Sequence, residues 1–214
     1  GLAERPKAIL IVSAHWAEPQ FTVHVGERPG LLFDYYGFPP HTYDLRWDAP
    51  AAPDVARRAG HLLRQAGFQT GEEAERGWDH GVFIPMMVAL PDADIPVAQL
   101  SLCVPNRHAD YDPGMHIRAG EALAPLREEG VLIIGSGMSF HNLRLIGAPI
   151  EQATEEFDEA LTGIVTLRDA QARNSGLTTW ADLPHARTAH PPGGGEDHLI
   201  PLMVAAGAAR EDRG

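Results

Sequence analysis

The stretch "AILIVSAHWAEP", residues 8–19, decides how the chain is read. Ala8 to Val12 are apolar, rich in β-branched residues and do not alternate with polar ones, the pattern of a strand covered on both faces in a mostly parallel sheet. His15 follows just past the carboxyl end of a strand predicted over 7–14. Ligands in open α/β sheets bind at that edge, where the strand-to-helix loops gather. A histidine there either binds a ligand or simply hydrogen-bonds its loop, and this segment alone leaves both readings open.

The rest of the chain repeats the theme. "FTVHV" (21–25) predicts an alternating strand with His24 facing outward, and "IPVAQLSL" (95–102) and "VLIIGSG" (131–137) predict further strands. Helical spacing marks 52–67, where His61 reads as structural or exposed, and 112–130 despite Pro125; 153–172 and 198–209 also read as helices. The alternation predicts an α/β sandwich with a central, largely parallel or mixed sheet flanked by helices. With 214 residues and no linker-like run, one catalytic domain over 1–214 is expected.

Composition excludes several partners. A formal charge of −12 argues against nucleic acid and against an anionic membrane, and no apolar run approaches the length of a span. Gly1 to Pro6 show no signal-peptide pattern, and the single cysteine, Cys103, reads as core filler in "VAQLSLCV", so a cytoplasmic location is expected. The oligomeric state stays open, a homo-oligomer included. The glycines of "GSGMSF" lack the Lys-Ser/Thr of a phosphate-binding loop and the third glycine of a dinucleotide fingerprint.

Of eleven histidines, four sit in loops flanking strong core elements: His15 in "SAHW", His80 in "GWDHGVFIP", His141 in "GSGMSFHNL" and His198 in "GEDHLIPL". Imidazole suits both Fe(II) or Zn(II) ligation and proton transfer near neutral pH. No local metal motif joins them, so only the fold can bring them together.

Five segments, "VSAHW", "DYYGFPPHTYDLRWDAPAAP", "GWDHGVFIPMMVALPDADIPVAQLSL", "LREEGVLIIGSGMSFHNL" and "EDHLIPLMVAAGAA", resemble in order the class III extradiol ring-cleavage dioxygenases, DOPA-dioxygenase-like branch. The resemblance implies an enzyme that opens a catechol ring beside its hydroxyls, with O2 as co-substrate and non-haem Fe(II) or Zn(II) as cofactor. It implies metal ligands at His15 and His198, and at His141 either a ligand or, preferred here, an acid/base. A further metal histidine belongs to a glycine-flanked loop upstream of "SAHW" that the chain lacks, so an N-terminal metal-binding loop and a C-terminal strand are expected to be missing. Where the family has Pro-Glu-His, this chain has "PPGGGEDH", which makes Glu196 or Asp197 substitute ligand candidates.

His80 is expected to hydrogen-bond substrate or oxygen, with Asp79 as its orienter, against the plainer role of stabilising a turn. Tyr35, Tyr36 and Phe38 are candidate ring-stacking residues, His41 or Tyr43 a polar edge, and Asn142 a substrate-side or loop-fixing residue; a proline-bounded aromatic loop also serves simply to cap a core. Trp16, Trp47 and Trp78 read as packing residues, and Asp92, Asp94 and Asp182 as solvated turn carboxylates. Two rival functions remain at this stage: a zinc-dependent hydrolase on the same histidines, and a non-enzymatic ligand-binding relative.

Overall fold

The computed structural model describes residues 5–106 and 108–212. Gly1 and the last residues of "AAREDRG", at which the sequence was read as incomplete, lie outside the described residues.

β1 (Ala8–Glu18) lies between β4 (Val97–Cys103) and β5 (Val131–Ser136), parallel to both. β2 (Phe21–His24) joins β4 antiparallel and carries β3 (Thr70–Glu73) parallel at the far edge, giving the order β3-β2-β4-β1-β5. The sheet is therefore mixed and flanked by helices, as the alternation predicts. Two-sided burial of β1 is direct: Leu10 and Val12 enter one core cluster, Ile9 and Ile11 the other, and none of the four is accessible to solvent.

On the first face pack α1 (Pro53–Gln65), α3 (Pro113–Leu123), α5 (Glu151–Val165), α6 (Ala170–Thr178) and α8 (Ile200–Ala209). The second face is covered by α2 (His80–Ala89) and by the long segment between β2 and α1, with Trp47, Trp78 and Phe83 at its centre. The short helices α4 (Pro125–Glu128) and α7 (Ala186–Ala189) complete the set. Among the described residues no helix is long and apolar enough to cross a membrane.

Several expectations are corrected. The strand predicted over 7–14 runs on to Glu18, but its register against β4 slips between Val12 and Ala17, so His15 sits inside an irregular stretch of β1. The helix predicted over 112–130 divides at Pro125, whose ring cannot follow an unbroken turn, and the one predicted over 153–172 divides into α5 and α6. His24 faces inward: its ring is 1% exposed and lies 5.0 Å from the Trp78 ring. Cys103 is half-buried at the end of β4 rather than in the core. His61 is exposed on α1, and Trp16, Trp47 and Trp78 are buried.

His116 on α3 illustrates how the core handles a titratable group. Its Nδ1 lies 2.7 Å from the Asp112 carbonyl, and its Nε2 accepts the Cys103 amide at 3.1 Å. Those two bonds require the neutral ring with the proton on Nδ1. Burial pushes the imidazole down to about 4, although the Asp112 carbonyl opposes the shift. A folded pKa below the unfolded value means that the contribution is full above about pH 6.5 and is lost as pH falls towards about 4. The expected loss is on the order of 3 kcal/mol. Urea midpoints measured at pH 7 and pH 5 should show a smaller drop in His116→Gln, which has no proton to gain, than in the wild type.

Candidate metal centre and active site

Four chain segments deliver four imidazoles to one pole of the sheet. His15 comes from the irregular stretch of β1, just beyond the last β1 to β5 pair, Ser13 with Ser136. His80 is the first residue of α2, His141 lies in the loop after β5, and His198 precedes α8. The rings form a continuous row. His80 and His15 have centroids 3.9 Å apart; His15 meets His198 edge-on at 4.8 Å; His198 stacks on His141 at 3.5 Å with 12° between planes.

A carboxylate stands near each end of the row. Asp34 Oδ1 is 2.7 Å from His80 Nδ1 and also accepts the His80 amide at 2.9 Å, while Asp34 Oδ2 lies 3.6 Å from His15 Nδ1. Asp197 Oδ1 is 2.8 Å from both the amide nitrogen and the ring Nδ1 of His198. Two donor groups result, His15 with Asp34 and His80, and His141 with Asp197 and His198, each with ligand atoms within 4.8 Å of one another. Either group could hold a metal ion.

The electrostatics favour ligation. Burial lowers the His15 imidazole, and neighbouring His80 and His198 lower it further. Burial, followed by the His198 ring, pushes His141 down to about 4. Both therefore present uncharged rings with a free lone pair near neutral pH, the form a metal requires. His80 moves the other way, raised chiefly by its hydrogen bond to Asp34. Burial alone would raise Asp34 and Asp197; their histidine partners outweigh it and hold both carboxyl groups below the ordinary range.

The supporting shell explains how these loops are fixed. His141 donates its amide to Ala189, and Asn142 Nδ2 donates to the Thr188 carbonyl at 2.7 Å, tying the loop to α7. His190 Nε2, 2.6 Å from the Ser139 carbonyl, holds the same loop from behind. The Met138 amide bonds the His198 carbonyl at 2.9 Å, bringing the loop after β5 against the approach to α8.

Sequence reasoning missed two of these contributors. Asp34, not Asp79, orients His80; the acidic residue in "FDYYG" was the available signal, but 46 positions separate the pair. His190 carried no signal apart from its type. Glu196 is 2% exposed and is committed to the Tyr111 amide and to Arg187, so only Asp197 of the two acidic candidates joins the histidines.

Two cavities flank the row. Beside His80 lies an apolar cleft of about 340 Å³, lined by Tyr35, Phe38, Thr42, Leu45 and Ile84. Beside His141 and Asp197 lies a polar one of about 280 Å³, with Asn142 and Arg144 in its wall. Phe38 therefore faces the apolar cleft and Asn142 the polar one. Tyr36 points to solvent with 91% exposure, and His41 is exposed on a short turn; neither lines either of these two cavities. Tyr43 packs on Tyr35, whose hydroxyl donates to the Thr42 carbonyl at 2.6 Å.

Comparison with known proteins gives this arrangement a lineage. Residues 2–214 match the family described as the catalytic LigB subunit of aromatic ring-opening dioxygenase. The chain is 42% identical to dioxygenase tasH of Hapsidospora irregularis, over 97% of its own length and 66% of that protein. It is 38% identical to the 4,5-DOPA dioxygenase extradiol of Beta vulgaris, over 98% of the chain and 76% of the relative. The corresponding Escherichia coli protein is 32% identical over 95% and 73%. A crystal structure of an uncharacterized protein from Escherichia coli K12 superposes with a TM-score of 0.74 at 29% identity, covering 96% of this chain and 76% of that one. The chain thus spans about two thirds of the first relative and about three quarters of the others. It belongs to the LigB family of ring-opening dioxygenases, which are non-haem metal enzymes. The extradiol dioxygenase reading is borne out, and these relatives lend no support to the hydrolase or the non-enzymatic binder.

One backbone contact makes the pole sensitive to a single methyl group. A Cβ on Gly137 would stand 2.1 Å from the His198 carbonyl oxygen. Gly137→Ala is expected to push the two loops apart at a cost of about 1–3 kcal/mol, read as a lower urea midpoint.

Proposed function

We propose that this chain supplies the metal-binding pole of an extradiol dioxygenase that opens a catechol-type ring with O2, using Fe(II) or Zn(II) held by His15 and His198. The observation that carries the reading is the unbroken row of imidazoles, uncharged at His15 and His141, lying between an apolar cleft and a polar one. A metal held there would supply the redox-active Lewis acid that lets O2 react with a closed-shell catechol.

The chain's own groups divide the remaining work. His141 takes the catechol proton on a ring nitrogen: it is uncharged near pH 7 and borders the polar cavity. His80 is the complementary donor. Its Nδ1 is committed to Asp34, which leaves Nε2 as the atom that faces substrate, and the carboxylate favours the protonated ring. Environments that push two titratable groups in opposite directions suit an acid and a base in one site.

The ring is held by shape. Phe38, Tyr35 and Ile84 offer the apolar wall against which an aromatic face and its substituent pack, and Asn142 presents a polar edge on the opposite side. Tyr36 and His41 are exposed and line neither of these two cavities. A reducing, cytoplasmic setting fits a chain whose single cysteine has no disulfide partner.

The roles separate by experiment. Iron content and oxygen uptake are measured after anaerobic Fe(II) loading and addition of a catechol in air. His15→Ala and His198→Ala should lose both. His141→Ala should keep its iron and lose turnover by roughly 10²–10⁴-fold, the usual worth of a positioned acid/base. Iron lost from His141→Ala would make that residue a ligand instead, and stoichiometric iron in His15→Ala would refute the proposed centre.

A further inference from the structure

Asp79 precedes α2 at the position where an aspartate ordinarily accepts a hydrogen bond from the first turn of its helix, yet its side chain makes no such bond. The carboxylate is turned instead into the sheet, where the residue is fully buried. Three donors converge on it. Ser13 Oγ donates to Oδ1 at 2.6 Å, Gln99 Nε2 to Oδ2 at 2.6 Å, and Arg76 NH2 to Oδ2 at 3.2 Å.

Two of those donors also grip His15. Ser13 Oγ accepts the His15 amide at 3.2 Å, and the same Arg76 NH2 donates to the His15 carbonyl at 3.0 Å. The peptide groups on both sides of the His15 Cα are thus tied to one carboxylate through one intermediary each. This occurs where β1 loses register with β4 between Val12 and Ala17, so the ladder that fixes the rest of the strand does not fix His15. Gly81 closes the arrangement: a Cβ there would stand 2.4 Å from Ser13 Oγ, 3.0 Å from His15 Cδ2 and 3.1 Å from Asp79 Oδ1.

We propose that Asp79 is a positioning residue whose buried carboxylate, acting through Ser13 and Arg76, clamps the His15 backbone and presets its imidazole for the metal. The inference rests on the reading of His15 as a ligand. It assigns Asp79 a duty toward His15 in place of the one toward His80 that its place in "WDHG" suggests. A carboxylate is specifically required, because its two oxygens accept from all three donors at once, whereas an amide at the same place would turn its NH2 towards one of them.

The test uses Co(II) as probe, with the visible ligand-field bands reporting binding, and backbone amide exchange at His15 in metal-free protein as a second readout. Asp79→Asn should weaken the apparent Co(II) dissociation constant about 10–100-fold, the usual effect of losing a group that orients a ligand, and should speed His15 amide exchange. Should that variant fail to fold, Ser13→Ala and Arg76→Met each remove one arm and leave the carboxylate in place. Both are expected to weaken Co(II) binding, with Arg76→Lys recovering part of what Arg76→Met loses. A general loss of stability would lower the urea midpoint without producing that recovery in affinity. Unchanged Co(II) affinity in the folded variants, beside a wild type that binds, overturns the clamp alone. A wild type that binds no Co(II) overturns the metal reading and the clamp with it.

Discussion

Everything at the active pole depends on β1 being buried from both sides. Ile9 and Ile11 belong to one core cluster, Leu10 and Val12 to the other, and all four are inaccessible to solvent. Each such side chain is worth about 1.5–3 kcal/mol when fully buried. A slip of one residue would exchange the two faces and break the parallel ladders to β4 and β5 together. The place where β1 emerges is therefore set by the core, far from any site residue. His15 inherits that place three residues after Val12.

The same logic explains which features the sequence discloses. β1, β4 and β5 are apolar runs whose burial is independent of any particular partner, so they are legible one segment at a time. β3, with the sequence "TGEE", carries no apolar pattern and forms only because β2 offers it an edge. α2 was equally hidden: "HGVFIPMMVA" is apolar nearly all round and contains Pro85, so neither a helical stripe nor a strand alternation shows. The alternation in "FTVHV" points His24 outward, whereas β2 is covered on both faces.

The site divides in the same way. Positions after strands could be recognised, and with the family likeness they single out four histidines, which the structure brings into one row. What orients them is polar and distant in sequence. Asp34 reaches His80 across 46 positions, and Asp79 reaches Ser13 across 66. A hydrogen bond between separated loops leaves no periodicity behind. "WDHG" therefore suggests that neighbours in sequence are partners in function, whereas Asp79 bonds Ser13 and Gln99 and His80 bonds Asp34.

That divergence has an electrostatic reason. Four imidazoles in contact cannot all carry charge, since each cation raises the cost of the next in a partly desolvated cleft. The structure hydrogen-bonds one carboxylate to His80 and another to His198 and leaves His15 between them without one in hydrogen-bond range: Asp34 supports protonation of His80, while His15 stands 3.6 Å from the same carboxylate and is depressed by burial. Had the "WDHG" aspartate paired with His80, Asp34 would be free to draw a proton onto His15, and that proton would occupy the lone pair through which the proposed centre holds its metal. Using Asp79 to hold the His15 backbone fixes that ring's position without bonding to the ring itself. The His15 backbone is thus held by a carboxylate that makes no bond to its ring, while burial keeps that ring uncharged, so the histidine is both firmly placed and neutral.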